Sequence, residues 1–218
     1  MLNVERVSVM NLENAMRGAR NPLNSWARSD SGYNERGEYV LGENDLNLAV
    51  RLCAAGSDHR KFIRQIFVSM DITAPLYWWK EFDTYKIGTV ANSTSTMHKL
   101  HARPLELADF STDHLTPASL TEFQRYVDYL ETVRQRFVAG GDRADWYDLI
   151  QLLPSSYNQM RTVTLNYEVL ASIYYARRNH KLDEWHVLCK AILELPYARR
   201  LLGAVGGETL EREEADGV

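Results

Sequence analysis

Cysteine is scarce in this sequence, and long apolar runs are missing. The 218 residues include only two cysteines, Cys53 and Cys189, too few for a disulfide scaffold or an all-cysteine zinc site. No apolar stretch approaches the roughly 20 residues that cross a bilayer, and the first residues, MLNVERVSVMN, lack the hydrophobic segment of a secretory signal. We therefore expect a soluble, cytoplasmic protein with reduced, buried thiols and no membrane partner.

A strong charge of one sign is also missing. The chain has 25 Lys+Arg against 29 Asp+Glu, a formal net charge of -4, which argues against a nucleic-acid polymer as partner because binding phosphates requires a basic surface. Glycine-rich phosphate loops, HExxH and GxSxG do not occur. His98 and His101 would supply only half of a metal site, so no metal is expected.

What is present is material for a hydrophobic core. Hydrophobic residues make up 45% of the chain and aromatic residues 11%, which excludes global disorder. The length suits a single α+β domain over residues 1–205. Residues 20–42 are rich in Asn, Ser, Gly and Arg and predict a long loop, and residues 206–218 predict an acidic, flexible tail.

The first half of the chain predicts a short helix, a strand and an aromatic helix. Asn44 or Asp45 is expected to cap the short helix, which runs through Cys53. Residues 62–72 are β-branched and aromatic and predict a buried strand. Pro75 is expected to open the next helix, whose aromatic surface we expect to be exposed. Its aromatic residues are Tyr77, Trp78, Trp79, Phe82 and Tyr85.

The second half predicts helices that cover the sheet of the first half. Residues 119–122 form a capping box, with Thr116-Pro117 as an alternative start, for a helix that ends at Gly140-Gly141. Asp142 is expected to cap the next helix, over residues 145–153. Two further helices are predicted over residues 164–178 and 181–195. Together with the predicted strand, these helices indicate an α+β fold.

Two polar regions are candidates for ligand binding. Residues 89–97 are nearly all hydroxyl, amide and small residues, which suits an anionic or heteroatom-rich ligand; the alternative is a loop that hydrogen-bonds only to itself. Arg161 and Arg178 offer guanidinium groups that suit a phosphate or a pyrimidine carbonyl edge. The alternative for a helix-end arginine is that it complements the helix dipole.

Taken together, these pieces resemble the flavin-dependent thymidylate synthases, a tetrameric family that methylates dUMP. Residues 56–59 lead into the predicted strand, Ala74-Pro75 follows, and Thr84-Tyr85-Lys86 stands where the family has Arg-His-Arg. Thr94 follows Lys86 after seven residues, as a serine does in the family. Further similar positions are Leu153-Pro154, Arg161, Asn166, Arg178 and Glu184-Trp185.

The resemblance implies a curved, mainly antiparallel sheet covered by helices, a homotetramer and a pocket for a nucleotide such as dUMP. Lys86 and Arg178 are the implied catalytic residues. The implied substrate-binding residues are Glu81, Asn92, Ser93, Thr94, Ser95, Thr96, Arg161 and Arg178. The implied FAD-binding residues are His59, Thr84, Tyr85, Lys86 and Asn166. Methylenetetrahydrofolate and NADPH are implied as further cofactors if the family chemistry is retained.

Several motif positions differ from the family, and three functions therefore stay open. Tyr85 replaces the family's central histidine and Thr84 its first arginine, so FAD is expected to bind weakly. The first function is a divergent enzyme that methylates or hydroxymethylates a deoxyuridine nucleotide with reduced flavin and methylenetetrahydrofolate. The second is a nucleotide- or flavin-binding protein without turnover. The third is a scaffold or interaction protein that has lost the activity.

Overall fold

The computed structural model describes residues 2–210. The helices of this part of the chain are α1 (Leu12–Arg20), α2 (Glu43–Ala54), α3 (Leu76–Phe82), α4 (Pro117–Gly140), α5 (Arg143–Gln151), α6 (Tyr167–Arg177), α7 (Asp183–Leu193) and α8 (Ala198–Gly206). The strands are β1 (Asn3–Met10), β2 (Gly32–Tyr33), β3 (Tyr39–Val40), β4 (Phe67–Pro75), β5 (Val90–Ser93) and β6 (Asn158–Asn166). None of these helices combines the length and the apolar character needed to span a bilayer.

The strands confirm the predicted α+β class. Four of them form an antiparallel sheet in the order β1-β4-β6-β5. The other two pair as a small antiparallel hairpin, with Gly32 opposite Val40 and Tyr33 opposite Tyr39. The sheet takes β6 from the second half of the chain, so the expectation that the first half alone builds it is wrong.

The chain forms two compact units. The first unit comprises Met1–Glu5, Asp71–Thr84 and Ala91–Val163, and the second comprises Arg6–Met70, Tyr85–Val90 and Thr164–Val218. Apolar side chains from α4, α5 and the preceding loop form a core cluster of the first unit: Leu100, Leu105, Phe110, Val127, Leu130, Val133 and Leu149. Buried residues of the second unit include Met16, Ile63, Leu170, Trp185 and Leu202.

The strand predicted over residues 62–72 begins later than expected. Arg60–Gln65 form a 3-10 helix in which Phe62 and Ile63 are buried, so these apolar residues are core residues of a helical turn. β4 begins at Phe67 and alternates buried with partly exposed residues, as a strand with one covered face does.

The aromatic helix is buried, contrary to the predicted exposed surface. Trp78, Trp79 and Phe82 of α3 are 0%, 1% and 2% exposed. The rings of Trp78 and Phe82 stack with centroids 5.1 Å apart, and Trp79 meets Trp78 edge-on at 4.9 Å. Aromatic spacing along a helix therefore marks a core here, and Tyr85 lies beyond the end of α3.

The predicted helices of the second half are present, with one wrong boundary. Thr116 is the N-cap of α4, accepting a hydrogen bond from Ser119 N at 3.3 Å, so the alternative start is the one that forms. Gly141 ends α4 and Asp142 caps α5. The helix predicted from residue 164 starts only after β6, at the N-cap Asn166.

The predicted loop over residues 20–42 contains two 3-10 turns and the β2–β3 hairpin. The cap predicted for α2 is wrong in detail, because Asp30 supplies it: its carboxylate accepts hydrogen bonds from the backbone N–H of Asn44 at 2.9 Å and of Asp45 at 3.1 Å. Asp45 itself is buried. Residues 211–218 of the predicted tail lie outside the described residues.

Candidate functional site

Arg161 in the first unit is held in one orientation by three side chains. Its guanidinium carbon lies 4.2 Å from the ring centroid of Trp79. Nε donates to Gln159 Oε1 at 3.0 Å and Nη1 donates to Asp83 Oδ1 at 2.7 Å. Its side chain is 16% exposed, and its Nη2 makes no hydrogen bond within residues 2–210. A fixed, planar donor group thus keeps one edge available for a ligand.

Gln159 connects Arg161 to the polar segment that contains Thr94. Its side-chain Nε2 donates to Thr94 O at 2.7 Å, and its backbone carbonyl accepts from Trp79 Nε1 at 2.9 Å. Thr94 N and Thr94 Oγ1 both donate to Met160 O, at 2.9 and 3.2 Å. Through Gln159 the structure links two of the predicted substrate-binding residues, the side chain of Arg161 and the backbone carbonyl of Thr94.

The other predicted substrate-binding residues of the first unit form a more open segment. Asn92 and Ser93 lie in β5 and are exposed. Ser95 Oγ accepts from the N–H groups of Met97 and His98 at 3.2 and 2.9 Å, so part of the segment does hydrogen-bond to itself. Thr96 and Glu81 are partly buried.

In the second unit, the side chain of Tyr85 is hydrogen-bonded to an arginine. Its hydroxyl accepts from Arg177 Nε at 2.9 Å, and its ring lies edge-on to Trp185 at 6.1 Å. The Arg177 guanidinium in turn lies 4.7 Å from the Trp185 ring centroid. The Arg177 guanidinium also lies 5.6 Å from the Tyr85 ring centroid, so it contacts both rings, and its hydrogen bond orients the Tyr85 hydroxyl.

Arg178 of the second unit is paired with a carboxylate. It forms an ion pair with Glu208, which raises the pKa of Arg178, and its guanidinium carbon lies 4.9 Å from the Tyr175 ring. Lys86 is exposed, and its ammonium group makes no hydrogen bond to the described residues. The predicted convergence of Lys86, Thr94, Arg161 and Arg178 stays a prediction, because Lys86 and Arg178 belong to the second unit.

Three of the five side chains at the predicted flavin positions are hydrogen-bonded within the chain. Thr84 Oγ1 donates to Glu81 O at 2.8 Å, Tyr85 is bonded to Arg177, and Asn166 Oδ1 accepts from Val169 N at 3.1 Å as the cap of α6. His59, Thr84 and Lys86 are exposed. Few donors of these five residues are left for the phosphates of FAD, and weak FAD binding stays a prediction.

A cavity of about 840 Å³ lies in the first unit. Asn158 and Met160 line it from β6, and Thr73 lines it from β4. Side chains alternate along a strand, so Gln159 and Arg161 project from the opposite face of β6. Thr94 and Ser95 also line the cavity. The predicted substrate-binding residues of this unit are therefore divided between two faces of the sheet.

Comparison with solved structures identifies the fold as that of the flavin-dependent thymidylate synthases. Thymidylate synthase X from Helicobacter pylori, solved with FAD and dUMP, is 18% identical, with a TM-score of 0.71 over 94% of this chain and 99% of that chain. A second structure of the Helicobacter pylori enzyme, complexed with FAD and dUMP, is 20% identical, with a TM-score of 0.64 over 91% of this chain and 97% of that one.

A third similar structure is a UMP/dUMP methylase, PolB from Streptomyces cacaoi, bound with 5-Br dUMP. It is 13% identical, with a TM-score of 0.65 over 95% of this chain and 96% of that chain. No protein-family model and no curated protein matches the sequence. The likeness therefore confirms the resemblance at the level of the fold.

The sequence interpretation missed the partners of the predicted arginines. Asp83 lies 78 positions from Arg161, and Glu208 lies 30 positions from Arg178. Neither carboxylate carries a local signal, because such pairs form only when the chain folds. Gln159 gave one available signal: it lies two residues before Arg161, on the same face of a strand.

Proposed function

We propose that this protein binds a uridine nucleotide such as dUMP. The three similar structures named above were solved with dUMP or its 5-bromo derivative, and two of them with FAD as well. Within this chain, the observation that carries the proposal is Arg161, whose guanidinium lies over the Trp79 ring and whose Nη2 edge makes no hydrogen bond to the described residues. That edge matches the carbonyl edge of a uracil ring or a phosphate oxygen.

Arg161 needs Asp83 and Gln159 as positioning residues. Asp83 Oδ1 accepts from Nη1 and thereby fixes the rotation of the guanidinium, while Gln159 ties the same group to Thr94 O. The carboxylate of Asp83 also partly neutralises the positive charge of Arg161. This favours a neutral uracil carbonyl over a phosphate as the group that Arg161 binds.

The second candidate function is one-carbon transfer to the same nucleotide, by methylation or hydroxymethylation. The observation that favours this function is the exposed ammonium group of Lys86. Lys86 stands at the last position of the Arg-His-Arg motif and could stabilise negative charge on an activated pyrimidine. FAD, methylenetetrahydrofolate and NADPH would be the co-reactants. Incubation of dUMP with all three, followed by chromatography of the nucleotide, tests this candidate directly.

The nucleotide proposal is tested by titrating the parent and Arg161→Ala with dUMP in a calorimeter. We expect the variant to lose about 1.5–3 kcal/mol of binding free energy, the range for hydrogen bonds to charged groups. Arg125→Ala is the matched control, because Arg125 is 71% exposed and, among the described residues, pairs only with Glu122 on the surface of α4.

Arg161→Ala also removes a ring contact and two hydrogen bonds, so its free energy of unfolding must be measured beside its affinity. We expect a loss of about 1–2 kcal/mol, which leaves the variant folded at the titration temperature. Equal dUMP affinity in the parent and the folded variant would contradict the role of Arg161. A parent protein that shows no dUMP binding would contradict the proposed function.

A further inference from the structure

The chain of the second unit turns back after α8 and brings a carboxylate to Arg178. Gly207 follows the last helical residue with a φ of 72°, the left-handed conformation that glycine adopts at helix ends. Glu208 N then donates to Gly203 O at 2.9 Å. A Cβ on Gly203 would lie 2.6 Å from Glu208 O, so glycine is needed where the returning chain passes. The glycines therefore fix the path of residues 207–210, which we call the C-terminal strap.

The strap covers the guanidinium of Arg178. Nη1 of Arg178 donates to Glu208 Oε1, and its guanidinium carbon lies 4.9 Å from the Tyr175 ring centroid and 5.7 Å from that of Tyr174. A guanidinium beside aromatic rings is suited to an anionic or carbonyl-bearing ligand. Here a carboxylate of the same chain takes the place of such a ligand.

The ion pair between Arg178 and Glu208 is accessible to solvent. The two side chains are 35% and 37% exposed, whereas those of the ion pair between Arg20 and Asp45 are 6% and 0% exposed. An exposed pair gains little free energy, because water competes for both charges. The pair of the strap is therefore one that a ligand can displace, and the buried pair is not.

Helix energetics do not explain the position of Glu208. Arg178 at the end of α6 complements the dipole of that helix without any carboxylate. Glu208 lies two residues beyond the end of α8, where a negative charge is unfavourable for the helix dipole. The contact with Arg178 is therefore the feature that Glu208 provides.

A nucleotide and Glu208 require the same donor. Carboxylate, phosphate and carbonyl oxygens all accept hydrogen bonds from a guanidinium, and Arg178 is one of the predicted substrate-binding residues. When a residue is available in only a fraction of the molecules, the apparent affinity for its ligand falls by that fraction. Occupation of Arg178 by Glu208 must then weaken nucleotide binding.

We propose that the C-terminal strap is autoinhibitory: Glu208 occupies Arg178 and has to leave before an acceptor oxygen of the nucleotide binds there. This inference rests on the proposed nucleotide binding and adds a regulation to it. Nothing covalent changes, since one acceptor replaces another on the same guanidinium.

The experiment titrates the full-length parent and Glu208→Gln with dUMP in a calorimeter. We expect the variant to bind dUMP about threefold to fivefold more tightly, because fivefold corresponds to about 1 kcal/mol, the upper range for an exposed ion pair. Glu194→Gln is the matched control: it removes the same charge from another ion pair of this unit, with Arg199 Nη2 at 2.6 Å. Its dUMP affinity should equal that of the parent.

The role of Arg178 is tested by combining variants. In an Arg178→Ala background, Glu208→Gln should leave dUMP affinity unchanged, because the donor for which the two acceptors compete is gone. Phenylglyoxal modification of arginines, read by peptide mass spectrometry, gives a second measurement. Arg178 should be modified faster in Glu208→Gln than in the parent, and dUMP should slow this modification, whereas Arg125 on α4 should react equally in all samples.

The outcomes separate the strap from the nucleotide proposal. If the parent binds dUMP and Glu208→Gln binds it equally, the strap is wrong and the proposed function stands, even where the variant loses unfolding free energy. An equal gain in Glu194→Gln would also overturn the strap, because the effect would then be one of net charge. If neither the parent nor Glu208→Gln binds dUMP, both proposals are wrong.

Discussion

Asp45 is a buried carboxylate whose ionisation is fixed by its neighbours. It accepts hydrogen bonds from Arg20 Nε at 2.5 Å, from Ser29 Oγ at 2.6 Å and from Ser31 Oγ. Burial alone would raise the pKa of Asp45, but the hydrogen bonds from Ser29, Ser31 and Arg20 hold that pKa below its usual value. The group therefore ties α1 and the following loop to the first turn of α2.

The sign of the shift predicts how stability depends on pH. A lowered carboxylate pKa contributes stability above the unfolded value of about 3.9, and this contribution is lost as the pH falls through the folded pKa. Urea unfolding between about pH 6 and pH 2 should therefore show a smaller loss of unfolding free energy for Asp45→Asn than for the parent. Asp58→Asn, at an exposed aspartate, should follow the parent; equal pH slopes in all three proteins would contradict the assignment.

The two cysteines should be inert in the folded protein. Burial raises the pKa of Cys53 to about 12 and that of Cys189 to about 11, so the reactive thiolate is scarce at neutral pH. We expect a chromogenic disulfide reagent to label neither thiol in native buffer and both in urea. Rapid labelling of either thiol without denaturant would show that its site opens easily.

At the scale of elements, α4 offers a matched pair of adjacent glycines at its end. Gly140 is the last helical residue, while Gly141 has a φ of 67° and closes the helix. A Cβ added at either position meets no atom within 4 Å. Any difference between the two alanine variants therefore reports the backbone conformation alone.

Gly141→Ala should lower the free energy of unfolding by about 1 kcal/mol, because an L-residue is strained at positive φ. Gly140→Ala should raise it by about 0.5–1 kcal/mol, because alanine favours a helix. Urea unfolding measures both. A result in which both variants change stability in the same direction would contradict this account of how α4 ends.

Elements with local signals could be predicted from the sequence, and elements fixed by distant contacts could not. Asp142 and Gly141 mark helix ends by their own chemistry, and both were found. β6 was partly interpreted as helix because its apolar residues, such as Leu165, continue the pattern of α6. β1 and α8 were not predicted, since their short patterns gain meaning only from the neighbours that cover them.

The candidate site shows the same division. The spacing from Lys86 to Thr94 and the position of Arg161 directed attention to the polar segment and to β6. The sequence could not show that Asp83 and Gln159 fix Arg161 or that Glu208 pairs with Arg178, because those contacts join residues brought together by folding. It also could not show the cavity, whose walls come from separate segments.

At the scale of the whole molecule, the expected homotetramer needs a new physical reason. The resemblance implies this assembly, but the aromatic residues of α3, which the sequence predicts to be exposed, are buried. β1 is an edge strand of the four-stranded sheet, and three apolar residues of the second unit are exposed: Val7 and Met10 of β1 and Phe67 of β4, at 46%, 42% and 41%. An uncovered strand edge can pair with a strand of a second chain, and exposed apolar side chains beside it can pack against that chain. Both features favour association.

We propose that copies of this chain associate through β1, and that the assembly is a tetramer of about 100 kDa, four times the 25.1 kDa chain. Light scattering after size exclusion measures this mass. The double variant Val7→Lys with Met10→Lys should shift this mass towards that of the single chain, because it places two charges on the associating edge.

Val138→Lys is the control, since Val138 is 57% exposed on α4. A parent mass near 25.1 kDa at micromolar concentration would contradict the tetramer, and a double variant that keeps the parent's mass would remove β1 from the interface.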